Sequence, residues 1–179
     1  NNGDVHIKEA GLRSLVLAAL RSGNLRLADR PEPADAFIIA VPTPFVENPQ
    51  PEADLRSVVS AAEAIVPYLE AGNLVILEST VPPRTTEEVL VPVLRRSGIE
   101  DLLVAHCPER VLPGRILAEL VDNGRVIGGV DRRSAEAARE LYASFVEGEM
   151  LLTDATTAEM VKLMENTYRD VNIALANEF

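Results

Sequence analysis

Two hydrophobic rhythms alternate along this chain. Unbroken apolar runs at Ala36–Val41, Leu74–Leu77, Leu102–Ala105, Arg125–Gly129 and Met150–Leu152 read as buried strands, and Asn24-Leu25-Arg26-Leu27 reads as a short alternating one. Between them the apolar positions recur at helical spacing. Leu12, Leu15, Val16, Ala19 and Leu20 share one face of a helix over 12–20, and Leu55, Val58, Val59, Ala62, Ile65 and Val66 share one over 54–69. Further helices are predicted over 85–94 and 134–145, a helical turn over 115–120, and one long amphipathic helix from Thr156 to Phe179. Strands that are apolar throughout and flanked by helices predict an α/β fold. Its core is a doubly wound parallel sheet with helices on both faces, followed by the long C-terminal helix.

Composition narrows the function classes. The chain has 179 residues, enough for one domain of ordinary size, and its 47% hydrophobic and 25% charged residues fit a soluble globular protein. Tryptophan is absent and aromatics are 4%, so the core must be built from Val, Leu, Ile and Ala. A net charge of -11 argues against nucleic-acid binding, which rests on cationic surface, yet a local Arg/Lys cluster can still hold a small anion. One cysteine excludes an intrachain disulfide and a multi-Cys metal site, and His6 and His106 show no metal-ligand spacing, so no metal is expected. No apolar run of about 18 residues exists, so no membrane span is expected, and Asn1-Asn2-Gly3-Asp4 lacks the features of a signal peptide; a cytoplasmic protein is expected.

Candidate chemistry gathers where apolar strands break. In open α/β sheets, ligands sit outside the carboxyl ends of the strands. There the chain carries Val41-Pro42-Thr43-Pro44, Glu78-Ser79-Thr80-Val81-Pro82 and Cys107-Pro108-Glu109-Arg110-Val111-Leu112-Pro113-Gly114. No G-x-G-x-x-G appears, and Gly128-Gly129, inside a strand, is a weak substitute. The polar start and the uncapped helical end both read as cuts through a larger protein.

These segments, together with Asn2-Gly3-Asp4-Val5-His6-Ile7 followed by Glu9 and Leu12, and with Ala158-Glu159-Met160-Val161-Lys162-Leu163-Met164-Glu165-Asn166 running on to Arg169-Asp170-Val171-Asn172, resemble the UDP-glucose/GDP-mannose dehydrogenase family. Five motifs in the right order cover nearly the whole chain. The resemblance implies a Rossmann-like NAD-binding fold and NAD-dependent oxidation of a primary alcohol at sugar C6 to a carboxylate. The Pro-Glu-Arg-Val-x-Pro-Gly form and the Arg after the Asn point to UDP-N-acetyl-D-mannosamine as substrate, serving surface polysaccharide synthesis. Pro113 stands where UDP-glucose relatives usually carry a second Glu, which argues against UDP-glucose; that sugar and UDP-N-acetylglucosamine are the alternatives. On this resemblance, residues 1–155 are the back half of the NAD domain and 156–179 begin the central helix through which such enzymes form homodimers. The nucleophilic cysteine and the phosphate-gripping glycines would lie outside the chain, leaving it inactive alone. A non-catalytic assembly role is the competing class.

Each candidate residue also has a plainer reading. Lys162 and Asn166 share a helix face, and an ammonium beside an amide suits an oxygen gaining negative charge. The resemblance gives Lys162 the C6 oxyanion or its proton, with Asn166 beside it; the alternative is a solvated face with Lys162 paired to Glu159 or Glu165. Glu109 either orients the water that hydrolyses a thioester or caps the following segment. Thr80 is expected to hold that water and, with Val41, Pro42, Thr43 and Ser79, to line the cofactor. For the two threonines a simple turn or cap role competes. Glu109, Arg110, Val111, Lys162, Asn166 and Arg169 are the expected substrate contacts, with an ion pair to Glu165 or Asp170 as the plain alternative for Arg169. Cys107 and His106 read as packing residues.

Overall fold

The computed structural model describes residues 7, 9–46, 49, 52–111 and 114–179. The stretch Asn2–His6, Leu112 and Pro113 lie outside the described residues. In chain order the elements are α1 (Leu12–Ser22), β1 (Ala36–Ile39), β2 (Phe45–Val46), β3 (Glu52–Ala53), α2 (Arg56–Ile65), β4 (Leu74–Leu77), α3 (Val91–Leu94), β5 (Leu103–His106), α4 (Ile116–Asp122), β6 (Arg125–Gly129), α5 (Arg132–Tyr142), β7 (Met150–Asp154) and α6 (Ala155–Glu178). The segment leading into α3, Thr86–Leu90, is wound as a π-turn; Pro92 cannot donate the backbone bond a regular helix needs there.

The main sheet has the order β1-β4-β5-β6-β7. β1 pairs β4, β4 pairs β5 and β6 pairs β7 in parallel, whereas β5 and β6 run antiparallel, with His106 opposite Gly128. The expected all-parallel sheet therefore reverses once. The consequence is local: the first residue of β6, Arg125, arrives at the same edge as the last residues of β4 and β5. β1 lies at the margin of the sheet, with Ile38 half exposed.

Side chains alternate between two apolar layers. On one face Phe37, Ile39, Val75, Leu77 and Val104 pack against Val58, Ala62 and Ile65 of α2 and against Leu90, Val93 and Leu94. On the other, Leu74, Ile76, Ala105, Cys107 and Ile127 meet Ala138 and Tyr142 of α5. Asp131 and Asp154 cap α5 and α6, accepting from the amides of Ser134 and Thr157 at 2.7 and 2.8 Å; that amide bond lowers the Asp131 carboxyl, and the Thr157 hydroxyl followed by the Thr157 amide lowers the Asp154 carboxyl.

One sequence expectation fails here. Asn24–Leu27 is not a strand: Gly23 turns left-handed at φ 78° to close α1, and the Leu25 amide is taken by Ala19 O at 3.1 Å. Gly128 and Gly129 lie within β6, as the sequence predicts, and are sites of close packing. A Cβ on Gly128 would stand 2.3 Å from Asp154 O on the α6 side, and one on Gly129 2.2 Å from Asp131 O on the α5 side.

Candidate active site

The turns after β1 and β4 are stitched together. Ser79 Oγ accepts from Val41 N at 2.8 Å and donates to Val41 O at 2.7 Å. Thr43 Oγ1 donates to Thr80 O at 2.6 Å. Val41, Pro42, Thr43, Ser79 and Thr80 thus form one cluster at the carboxyl ends of adjacent parallel strands. The Ser79 and Thr43 hydroxyls build the turns themselves.

The turn after β5 is held from two sides. Its Glu109 carbonyl accepts from Lys162 Nζ at 2.6 Å, while its carboxylate accepts from the Arg110 amide at 2.6 Å and lies 3.5 Å from Arg125 Nη2. Arg110 pairs with Glu165 at 2.5 Å and donates to Gly124 O at 3.0 Å, and its own carbonyl accepts from Asn123 Nδ2 at 3.0 Å. Val111 follows, partly buried. Gly114, at φ 94°, donates from its amide to Glu9 Oε2 at 2.9 Å, so Glu9 and Gly114 meet in space.

Helix α6 supplies the third wall. It starts against Gly128 and runs up the sheet to these turns. Residues 159, 162, 165 and 166 lie on one face at helical spacing. The plain reading of Lys162 does not hold, because Glu165 goes to Arg110 and Glu159 goes elsewhere: it is buried and accepts from Arg84 N at 2.5 Å, Thr86 N at 2.7 Å and Thr86 Oγ1 at 2.6 Å. Arg169 donates to Asn166 Oδ1 at 2.7 Å rather than pairing with Asp170 or Glu165. Structure therefore brings Glu109, Arg110, Lys162, Asn166 and Arg169 to one edge. The small hollow beside Glu109 is lined by the β5 turn and the α4–β6 loop, and Lys162 is not among its walls.

Burial sets the local electrostatics. Desolvation lowers the Lys162 ammonium from its ordinary value, with Arg169 and Arg110 adding to the effect and Glu165 and Glu109 opposing it. Desolvation raises the Glu78 and Glu159 carboxyls, against the hydrogen bonds each receives. The Cys107 thiol is pushed up to about 11 by burial and stays neutral, which fits a packing role. His106 is wholly buried, its two ring nitrogens have no hydrogen-bond partner, and burial pushes it down to about 4.

Arg125 and the Tyr142–Glu78 pair were not among the candidate residues, and Glu159 stood there only as a partner for Lys162. A signal existed for the first: an arginine heading an apolar strand must find a counter-charge when buried. Glu159 is three residues before Lys162, yet nothing local shows that it faces inward.

The model of the UDP-glucose/GDP-mannose dehydrogenase family, NAD binding domain, matches residues 1–146. The chain belongs to this family. It is 56% identical over 180 residues to the UDP-N-acetyl-D-mannosamine dehydrogenase of Methanococcus maripaludis, covering 99% of the chain and 41% of that protein. The enzyme of the same name from Methanocaldococcus jannaschii is 59% identical over 172 residues, 96% of the chain and 40% of that protein. A protein named NDP-N-acetyl-D-galactosaminuronic acid dehydrogenase, from Ralstonia nicotianae, is 53% identical over 188 residues, 99% of the chain and 44% of its own length. Among solved structures, the UDP-N-acetyl-mannosamine dehydrogenase Cap5O from Staphylococcus aureus matches with a TM-score of 0.92 and 51% identity, over 99% of this chain and 44% of that one. The chain thus spans about two fifths of the length of these relatives.

NAD is the cofactor of the family domain that this chain matches. The residues present fit such a group: Val41, Thr43 and Thr80 are part-exposed at the strand ends, where backbone and hydroxyl groups could hold a ribose. Among the described residues no helix is long and apolar enough to cross a membrane, and no acidic, His or Cys cluster could hold a metal ion.

Proposed function

We propose that this chain is a segment of an NAD-dependent 6-dehydrogenase that oxidises UDP-N-acetyl-D-mannosamine to UDP-N-acetyl-D-mannosaminuronate, in two steps from alcohol to carboxylate, for surface polysaccharide synthesis in the cytoplasm. The observation that carries it is Lys162 Nζ resting on Glu109 O at 2.6 Å, which joins the helix motif and the strand-end motif into one site. When bound, NAD accepts hydride from the sugar alcohol. Lys162, with its lowered ammonium, is suited to steady the C6 oxygen and move its proton, and Asn166 donates beside it. Glu109 and Thr80 are assigned the orientation of the hydrolytic water, and Val41, Pro42, Thr43, Ser79 and Thr80 the cofactor. Glu109, Arg110, Val111, Lys162, Asn166 and Arg169 are assigned the substrate. Arg110 can serve by exchanging its Glu165 partner for a substrate anion.

In this reading residues 1–155 belong to the NAD domain and 156–179 to the central helix. The segment has no turnover by itself, because the nucleophile and the glycine turn lie elsewhere. Met160, Met164, Tyr168, Val171 and Leu175 form an exposed apolar stripe along α6, which supports a homodimer through that helix. A second reading of the substrate, an N-acetylgalactosamine-type sugar nucleotide, is favoured by the relatives named NDP-N-acetyl-D-galactosaminuronic acid dehydrogenase, that of Ralstonia nicotianae among them. The test is NADH formation by the longer protein over a panel of UDP-sugars. The proposal expects the mannosamine compound to give the highest kcat/KM; preference for UDP-glucose would contradict it.

A further inference from the structure

The reversal between β5 and β6 delivers a buried cation to the site's floor. Arg125 is 4% exposed, and its guanidinium stacks over the Tyr142 ring at 4.6 Å from the centroid, with Phe145 at 5.7 Å. Around it stand residues that follow the ends of β4 and β5. Nη2 lies 3.5 Å from Glu109 Oε2, and Nη1 lies 3.9 Å from Glu78 Oε1 and 4.0 Å from Cys107 Sγ. Tyr142 Oη in turn donates to Glu78 Oε1 at 2.5 Å.

We infer that Arg125 is a positioning residue that couples the two active-site turns and sets where the Glu109 carboxylate stands. A guanidinium reaches two carboxylates at once because its donors are spread over a rigid plane; a lysine ammonium on the same strand is a single point. Stacking on Tyr142 fixes that plane from below. The same tyrosine holds Glu78 in place, so Glu78, Tyr142, Arg125 and Glu109 form one chain of contacts from the end of β4 to the end of β5. The Cys107 thiol, neutral because it is buried, does not compete for the cation. This inference rests on the proposed role of Glu109 only for its effect on turnover. The coupling itself concerns the geometry of this chain alone.

Two measurements separate the two claims. The first needs no activity: backbone NMR and amide exchange on the chain carrying Arg125→Met, Arg125→Lys or Tyr142→Phe. In Arg125→Met the Arg110 amide, which donates to Glu109, should exchange at least about ten-fold faster, and resonances in both turns should shift. Tyr142→Phe keeps the ring and removes only the donor to Glu78, yet its shifts should reach residues 109–110; in Arg125→Lys the same change should stay at 78–80. If Arg125→Met fails to fold, the Tyr142→Phe and Arg125→Lys comparison decides. Unchanged resonances at 109–110 in Tyr142→Phe overturn the inference. The second measurement is kinetics on the longer protein. Arg125→Met should lower kcat by about 10²-fold, as expected for a reacting group moved by roughly 1 Å, while KM for NAD stays within about two-fold. Arg125→Lys should recover part of the loss. Coupled turns with unchanged kcat would support Arg125 as the positioning residue and overturn the role given to Glu109.

Discussion

Removing the Glu159 carboxylate tests the joint that places α6. Three donors converge on it: Arg84 N, Thr86 N and Thr86 Oγ1. Glu159→Ala leaves them without their acceptor, two of them on the fully buried Thr86. Each unsatisfied buried donor costs about 1–3 kcal/mol, while relief of the carboxylate's own burial offsets part of the total, so a net loss of about 2–4 kcal/mol is expected. For a chain of this size that lowers Tm by roughly 5–15 °C. Glu159→Gln keeps one oxygen for Thr86 but turns an NH2 toward Arg84 N, and should cost about half as much. The pH dependence has a definite sign. Burial raises the folded-state carboxyl above its ordinary 4.5, so the native state takes up this proton at a higher pH than the unfolded chain does. The cost of the buried charge is present above the folded value and disappears as pH falls toward 4.5. Wild type should therefore gain stability relative to Glu159→Gln on acidification through that window. Thermal and urea unfolding of the three chains between about pH 7 and 4.5 measure both effects. A Glu159→Ala chain melting within about 2 °C of wild type, or a gap to Glu159→Gln that is flat with pH, would refute the reasoning.

Other perturbations follow from the same contacts. Gly128→Ala places a Cβ 2.3 Å from Asp154 O and 2.7 Å from both Ala155 Cα and Ala158 Cβ; it should cost about 3 kcal/mol or more and lower Tm by at least roughly 6 °C in a thermal melt. Ser79→Ala removes both bonds to Val41 and should cost about 1–2 kcal/mol, with faster amide exchange at Val41 as its local signature. Arg84 is held at φ 74°, so Arg84→Gly should stabilise the chain by about 0.5–1 kcal/mol in urea unfolding even though its surface pair with Glu88 is lost.

The fold was legible wherever one rhythm ran long enough to be unambiguous. The apolar runs at 36–39, 74–77, 103–106 and 125–129 are strands, and the amphipathic stretches at 56–65, 132–142 and 155–178 are helices. Strand direction was not legible, since an apolar run looks the same in either sense. That one reversal hid Arg125, which an all-parallel sheet would have put at the far edge. Leu25 and Leu27 alternate like a strand, yet the Leu25 amide is drawn into the closing turn of α1. Motif order brought Glu109 and Lys162 into one site before any geometry was known. It did not reveal that Lys162 meets the Glu109 carbonyl and not its carboxylate, because a carbonyl leaves no trace in residue type.

The account stands most directly on Lys162. In the longer protein, Lys162→Met should lower kcat for oxidation of UDP-N-acetylmannosamine, followed as NADH formation, by about 10²–10³-fold, the range for losing one transition-state donor. Its Tm should stay within a few degrees of wild type, as Lys162 is half-buried and makes its bond to a turn held by several others. Unchanged kcat with a lowered Tm would show that the ammonium only braces the turn, and would contradict the account.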